Sequence, residues 1–428
     1  MAADRTILVV GAGQAGISLV TALRELGDDS PVVLVGEEPE PPYERPPLSK
    51  TYLRGEHDRD TLVFRPPWWF AEQGVELLTG RRVVDLSRHR PGEPGGTATT
   101  DDGREIAWHR LALTTGATNR TLPVEGADLD RVLSLRTLAD ADVLAPAVRA
   151  ARSVVVVGGG FIGLEVAASA RALGAEVTVV EVADRLLSRA ATPELSAFYL
   201  EAHRRRGTRI HLGARATRIH GTSGRAEAVV LDDGTELEAD LVVVGTGVEP
   251  RTDLARGLGL EVEPRGIVVD RYARASDGLT VAAGDCTVGP NPFSRGIAAP
   301  TRLESVPHAT DQARAAAATL AGHPVPYDAV PWFWSDQADL RLQIAGLPQG
   351  ADTTVVRGDV ATESFSLLSY RDGLLVAIEA VNASGDYLAV KRALEKGMTI
   401  PVEAAADATA PLKRALRPVP GPANHEAS

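Results

Sequence analysis

The chain has a single cysteine, Cys286, among 428 residues. It can form no internal disulfide, and it has no Cys-x-x-Cys redox pair. Such sparse cysteine fits a reducing compartment. Lysine is nearly as scarce, four against 41 arginines, which reflects genome composition more than function. The nine histidines form no ligand cluster, so no metal site is expected. No apolar run approaches the roughly 18 residues of a membrane span. Only six residues precede the first strand-like run, which leaves no room for a signal peptide, and a cytoplasmic location is expected. Positive charge is in deficit: the net charge of −12 argues against nucleic acid and against an anionic membrane surface. It says nothing against a nucleotide cofactor, which responds to local fields.

At 428 residues, 44% of them hydrophobic, the chain is globular and too long for one core. Its organising stretch comes first. Residues 7–10 are Ile-Leu-Val-Val, followed at once by Gly11-Ala12-Gly13-Gln14-Ala15-Gly16. Ile17, Val20, Leu23 and Leu26 then recur at helical spacing, and Gly27 ends the helix. This is strand, tight turn, helix. Gly11 allows the turn, Gly13 lets a pyrophosphate approach the backbone, and Gly16 lets helix and strand pack closely. The helix N-terminus adds free N–H groups and a partial positive charge. A second strand, 32–35, leads to Glu37, 21 residues after Gly16, where the fingerprint places a carboxylate for a ribose hydroxyl. A lone glycine motif is weak, but strand, turn, helix, strand and acid in order point to a dinucleotide.

The pattern repeats 147 residues later. Val154 to Val157 precedes Gly158-Gly159-Gly160-Phe161-Ile162-Gly163, a helix stopped by Gly174, and a strand ending at Glu181. Two copies predict two dinucleotides, or one duplicated fold with two uses. Between the copies, residues 39–50 carry five prolines and must run extended, a loop able to wall a cofactor site with Arg45 and Lys50. Hairpins are expected at 97–108 and 226–237. Strands ending in Thr115-Gly116 and at Gly247 echo each other, and a strand over 280–286 is expected to deliver Asp285. Ser305-Val306-Pro307 opens a helix to Leu320 whose N-terminus stabilises negative charge. From Trp332 onward, five runs read as antiparallel strands, then a helix near 387–396. The Ala- and Pro-rich stretch 402–428 is expected to be partly disordered, and 287–300 to be irregular.

These residues together resemble the FAD-dependent ferredoxin reductases of bacterial oxygenase systems, the putidaredoxin reductase-like branch of the pyridine nucleotide-disulfide oxidoreductase superfamily. The matching stretches are Val9 to Gly13, Pro46 to Lys50, Leu135 to Leu138, Gly158 to Glu165, Ala283 to Cys286, Glu304 to Pro307 and Pro331 to Gln337. The resemblance implies an α/β fold with two Rossmann-like dinucleotide-binding domains and a C-terminal α+β domain. The implied boundaries are 1–118 with 246–325 for FAD, 119–245 for NAD, and 326–428 for the C-terminal reductase domain. FAD contacts implied by motif are Gly11, Gly13, Ala15, Gly16, Glu37, Arg45, Pro46, Lys50, Val83, Thr115, Gly116, Arg136, Gly284, Asp285 and Val306. Those implied for NADH are Gly158, Gly160, Ile162, Gly163, Glu165, Glu181 and Gly247, with Phe161 lying over the flavin and moving aside for nicotinamide.

The implied reaction passes a hydride from NADH to FAD, then single electrons to a [2Fe-2S] ferredoxin serving a haem-thiolate monooxygenase or Rieske-type dioxygenase. Lys50, paired with Glu165, would stand near the ring nitrogen that takes the hydride, and Trp334 near the flavin with Trp332 as its neighbour. Arg65, Arg302 and Arg314 would face a ferredoxin that is itself acidic. A monomer or weak dimer is expected. The rivals are a rubredoxin or other acceptor reductase, a dithiol or peroxide reductase, and a signalling flavoprotein like the apoptosis-inducing relatives. Dithiol chemistry lacks its cysteine pair, and Cys286 follows Asp285 in a buried strand-end motif.

Overall fold

The computed structural model describes residues 5–294, 297 and 302–419. Its first unit is a five-stranded parallel sheet in the order Val281–Ala282, Arg110–Leu113, Ile7–Val10, Val32–Val35, Val75–Leu78. Both faces of such a sheet are covered, so its strands can be apolar throughout. Residues 7–10 accordingly have between 0 and 5% exposure. The helix Gln14–Glu25 packs on the helix Val306–Leu320. Alanines at 313, 316 and 317 are fully buried and let the two backbones approach, and Gln14 Nε2 donates to Thr310 Oγ1 at 3.1 Å. Residues almost 300 apart thus complete one layer.

The second unit repeats the design: Thr208–Leu212, Glu176–Glu181, Ser153–Val157, Leu241–Val244 and Val132–Ser134, all parallel. Each unit carries a three-stranded antiparallel sheet, residues 83–88, 96–100 and 105–108 in one, and 216–222, 225–231 and 236–238 in the other. Both contain the expected hairpins. A short antiparallel pair, Ala117–Asn119 with Val248–Pro250, links the units.

The third unit is a five-stranded antiparallel sheet in the order 332–337, 340–346, 374–381, 364–371, 353–359. The helix Ser384–Glu395 covers one face. Of the stretch expected to be partly disordered, residues 402–419 are described, and they are tied to the third unit. Residues 402–406 form a helix, and Ala405 and Leu412 bury against the same core as Tyr387 and Val390. The Arg357 guanidinium holds this segment through the carbonyls of Ala405, Asp407 and Ala410. Residues 420–428 lie outside the described residues.

The strand expected over 280–286 is only two residues long, Val281–Ala282. The Gln312 side-chain oxygen takes the Gly284 amide at 2.8 Å, which ends the ladder before Asp285. In the irregular stretch, Thr287–Val288 pairs parallel with residues 267–268 and 292–294 make a 3₁₀ turn; residues 295, 296 and 298–300 lie outside the described residues.

Candidate active site

The two glycine turns lie at the carboxyl ends of their sheets, where open α/β folds take ligands. Gly11 has φ +111° and Gly158 φ +116°, a region that strains any side chain. A Cβ on Gly11 would stand 2.1 Å from the Thr114 carbonyl oxygen, and one on Gly158 would stand 2.4 Å from that of Gly245. Gly16 and Gly163 are closed the same way, by the Gly11 and Gly158 carbonyls. Gly13 and Gly160 differ: nothing lies within 4 Å of an added Cβ. Each turn is therefore packed tightly behind and open in front of a helix N-terminus, the arrangement that admits a pyrophosphate. The residues fit two dinucleotides.

Around the first turn, Glu37 stands exposed at the end of strand 32–35, paired with Arg251. Its neighbour Glu38 holds Arg45 and the Tyr43 hydroxyl instead. Arg45 also donates to the Arg136 carbonyl at 2.6 Å, and Arg136 reaches Asp285 at 2.8 Å. Pro46 opens a 3₁₀ turn that runs to Ser49. Val83 is buried, Thr115 donates to the Arg251 carbonyl, and Gly116 follows it. Gly284 packs against Ala15, where an added Cβ would be 3.1 Å from the Ala15 methyl. Val306 is the first residue of its helix, capped by Ser305, whose Oγ accepts from the His308 amide at 3.2 Å.

Around the second turn, Glu181 Oε2 accepts from the Gly159 amide at 2.6 Å and Oε1 from the Ala183 amide at 2.8 Å. Arg185, four residues on, turns away to Ser196 and the Ala191 carbonyl. Ile162 is about half exposed, and an added Cβ on Gly247 would approach Arg189. Phe161 stacks on Phe333 of the third unit, ring centres 4.4 Å apart. Trp332 and Trp334 stack on each other at 5.5 Å, and Lys391 lies over Trp332.

The two halves meet at one ion pair. Lys50 Nζ is 2.6 Å from Glu165 Oε2. The same oxygen accepts from Ser49 Oγ at 2.5 Å, and Oε1 accepts from Ser335 Oγ at 2.6 Å. Glu165 is 2% exposed. A carboxylate this deep is tolerable only with a cation and hydrogen bonds to satisfy it. The pairing of Lys50 with Glu165 is as expected; Ser49 and Ser335 as its further partners carried no local signal in the sequence, because they converge from different units.

Arg302 was expected to face a partner, but its side chain is 9% exposed, donates to the Asp285 carbonyl and pairs with Glu304, so it offers no charge outward. Arg65 and Arg314 are exposed; Arg65 lies over Trp69, and Arg314 reaches Asp311 only at 3.4 Å. His308 is buried, with Nδ1 2.9 Å from the Tyr327 hydroxyl, and burial pushes its pKa down to about 4. Cys286 is fully buried and its thiol is pushed up by burial, which makes a poor nucleophile. Among the described residues no three His, Cys, Asp or Glu side chains gather as metal ligands, and no helix is long and apolar enough to cross a membrane.

Comparison with known proteins places this geometry. Residues 5–313 match the pyridine nucleotide-disulphide oxidoreductase model, and residues 332–416 the reductase C-terminal model. Rhodocoxin reductase of Rhodococcus erythropolis is 42% identical over 411 residues, covering 96% of this chain and 94% of that protein. The ferredoxin reductase for the CYP199A2 system of Rhodopseudomonas palustris superposes with a TM-score of 0.91 at 42% identity, over 97% of this chain and 100% of that one. The covalent putidaredoxin reductase–putidaredoxin complex contains a chain with a TM-score of 0.90 at 36% identity, over 96% and 98%.

Proposed function

This chain belongs to the pyridine nucleotide-disulphide oxidoreductase family, and from that premise we propose that it carries electrons from NADH through FAD to a [2Fe-2S] ferredoxin serving an oxygenase. It is a flavoprotein oxidoreductase with FAD and NAD(H) as its cofactors. The observation that carries the reading is the Lys50–Glu165 pair. Lys50 comes from the loop beyond the first glycine turn and Glu165 from the helix that starts at the second. Both nucleotide sites therefore run toward one buried ion pair, as a direct transfer between two cofactor rings requires.

FAD held there would supply an acceptor for a hydride from NADH and a one-electron donor for an iron–sulfur partner. The remaining work belongs to the chain. The first unit, 1–118 with 246–325, holds FAD: the Gly11–Gly16 turn takes its pyrophosphate, Glu37 its ribose, and Asp285 with Arg136 lies beside its ribitol. The unit 119–245 holds NADH on the Gly158–Gly163 turn, with Glu181 for the ribose. Lys50 places a fixed cation against the ring, and Glu165 fixes the Lys50 ammonium. The helix from Val306 turns its positive end toward the ring's anionic edge. Phe161, stacked on Phe333, screens the ring from water and must swing aside for nicotinamide. Trp334 and Trp332 of the third unit, 326–428, border the same site, and Arg65 and Arg314 face the ferredoxin.

The purified chain should be yellow with about one FAD per chain. Anaerobic NADH should bleach it, and a [2Fe-2S] ferredoxin should restore the colour. Colourless protein that cannot be reconstituted with FAD would overturn the reading.

A further inference from the structure

Behind Glu165 stands a chain of buried polar groups. Ser335 Oγ donates to Glu165 Oε1 at 2.6 Å. Gln337 lies two residues on in the same strand and so on the same face of the sheet. Its Nε2 donates to Ser335 Oγ at 3.1 Å, and its Oε1 is 2.8 Å from His203 Nε2. Exposure is 0% at Ser335, 1% at Gln337 and 3% at His203. An apolar core would have been cheaper to pack at these positions.

The direction of every bond is determined by chemistry. An amide oxygen only accepts, so His203 must donate from Nε2, which a neutral imidazole does only as the Nε2–H tautomer. The Gln337 amide nitrogen only donates, so the Ser335 oxygen accepts from it. The one hydroxyl hydrogen of Ser335 is then left for Glu165. With the amide reversed, Ser335 would donate to Gln337 and turn away from Glu165. The chain thus delivers a hydrogen-bond orientation, and it is not a proton conduit, because an amide does not readily pass protons.

We propose that His203 and Gln337 are positioning residues: they hold Ser335 as a committed donor to Glu165, and through Glu165 hold the Lys50 ammonium in place against the cofactor ring. The inference rests on the function proposed above. It joins the three units at one point, since Lys50 belongs to the first, Glu165 and His203 to the second, and Ser335 and Gln337 to the third. His203 is suited to stay neutral. Burial lowers its pKa, helped by Arg206 on its own helix and opposed by the bond to Gln337. Tyr199 packs near its ring, Asp336 lies between Ser335 and Gln337, and the Arg206 charge is itself tied to Asp339 and Glu363.

The test uses the full chain loaded with FAD. Nitrogen-15 histidine NMR should show His203 as a neutral Nε2–H tautomer, its signal identified by loss in His203→Gln. Stopped-flow bleaching by saturating NADH should be slowed about tenfold by Ser335→Ala, the loss of one hydrogen bond to a charged group. Gln337→Met and His203→Phe should slow it as much, and Ser335→Ala with Gln337→Met no further, as members of one chain are non-additive. His203→Gln, which keeps a donor, should recover most of the rate. The NADH concentration for half-saturation should not move. An Nδ1–H tautomer at His203, wild-type rates in folded Gln337→Met and His203→Phe, or additive losses would each overturn the proposal. Failure of NADH to bleach the wild type would strike the function instead, and the tautomer measurement would still decide the chain.

Discussion

Glu379 has no exposed surface, yet it is a carboxylic acid in the middle of a strand. Its partner is Thr192, whose amide donates to Oε1 at 2.9 Å and whose hydroxyl meets Oε2. Burial pushes its pKa up to about 7, only partly offset by those bonds. A raised carboxyl pKa favours the folded state while the group is protonated. That contribution is complete below the unfolded value near 4.5 and is lost as pH climbs through about 7. A glutamine side chain in its place would keep an acceptor for the Thr192 amide and offer a donor to the hydroxyl, with no proton to lose. Glu379→Gln should therefore melt with the wild type near the unfolded pKa, and a few degrees above it by pH 8. Thermal melts across that range check it; a constant difference at all pH values would show that packing, and not ionisation, sets the change. Lys50 and Glu165 are the opposite case. There the buried carboxylate has a cation and two hydroxyls, and removing either charge leaves the other stranded at a cost of about 3–5 kcal/mol.

At the scale of elements, the two strand–turn–helix copies share their backbone design and differ at the acid. Glu37 stands exposed against Arg251, whereas Glu181 is drawn into its turn by the Gly159 and Ala183 amides. A 2′-phosphate at the second site would lie beside that fixed negative charge, and Arg185 is occupied elsewhere. NADH should be used in preference to NADPH. Glu181→Ala should narrow the preference roughly tenfold or more, mainly by improving NADPH. Steady-state kcat/KM for the two nucleotides checks it, and a wild type that uses both equally would remove Glu181 from the ribose site.

At the scale of the molecule, the chain and an acidic ferredoxin both carry negative charge, so their encounter needs a local positive patch. Arg314 is 62% exposed and weakly held by Asp311, and Arg65 is exposed over Trp69. Arg302 is turned inward and does not contribute. Arg314→Glu should lose ferredoxin reduction by about tenfold, more so at low salt, while NADH-driven ferricyanide reduction stays near wild type. Equal loss of both activities would place Arg314 in folding or flavin binding, and no loss of either would remove it from the interface.

The sequence by itself determined the local design. Strand, glycine turn, helix and acid are contiguous, and the apolar strand runs, the 3.6-residue helical spacing and the obligatory glycines can be read from neighbours alone. The start of the helix at Val306 was legible for the same reason, since Ser305 and Pro307 are local signals. Only the tertiary structure decided which polar side chains meet. Ser49, Glu165, His203 and the Ser335–Gln337 pair are distant in sequence, and no local pattern marks a serine that will donate to a carboxylate over a hundred residues away. Arg302 and the segment 402–412 make the same point from the other side. Composition reads an arginine as exposed and an Ala- and Pro-rich segment as loose, but a carbonyl at Asp285 and a guanidinium at Arg357 were there to satisfy them. Burial is a property of what the rest of the chain brings to a residue, and that is settled only when the units pack.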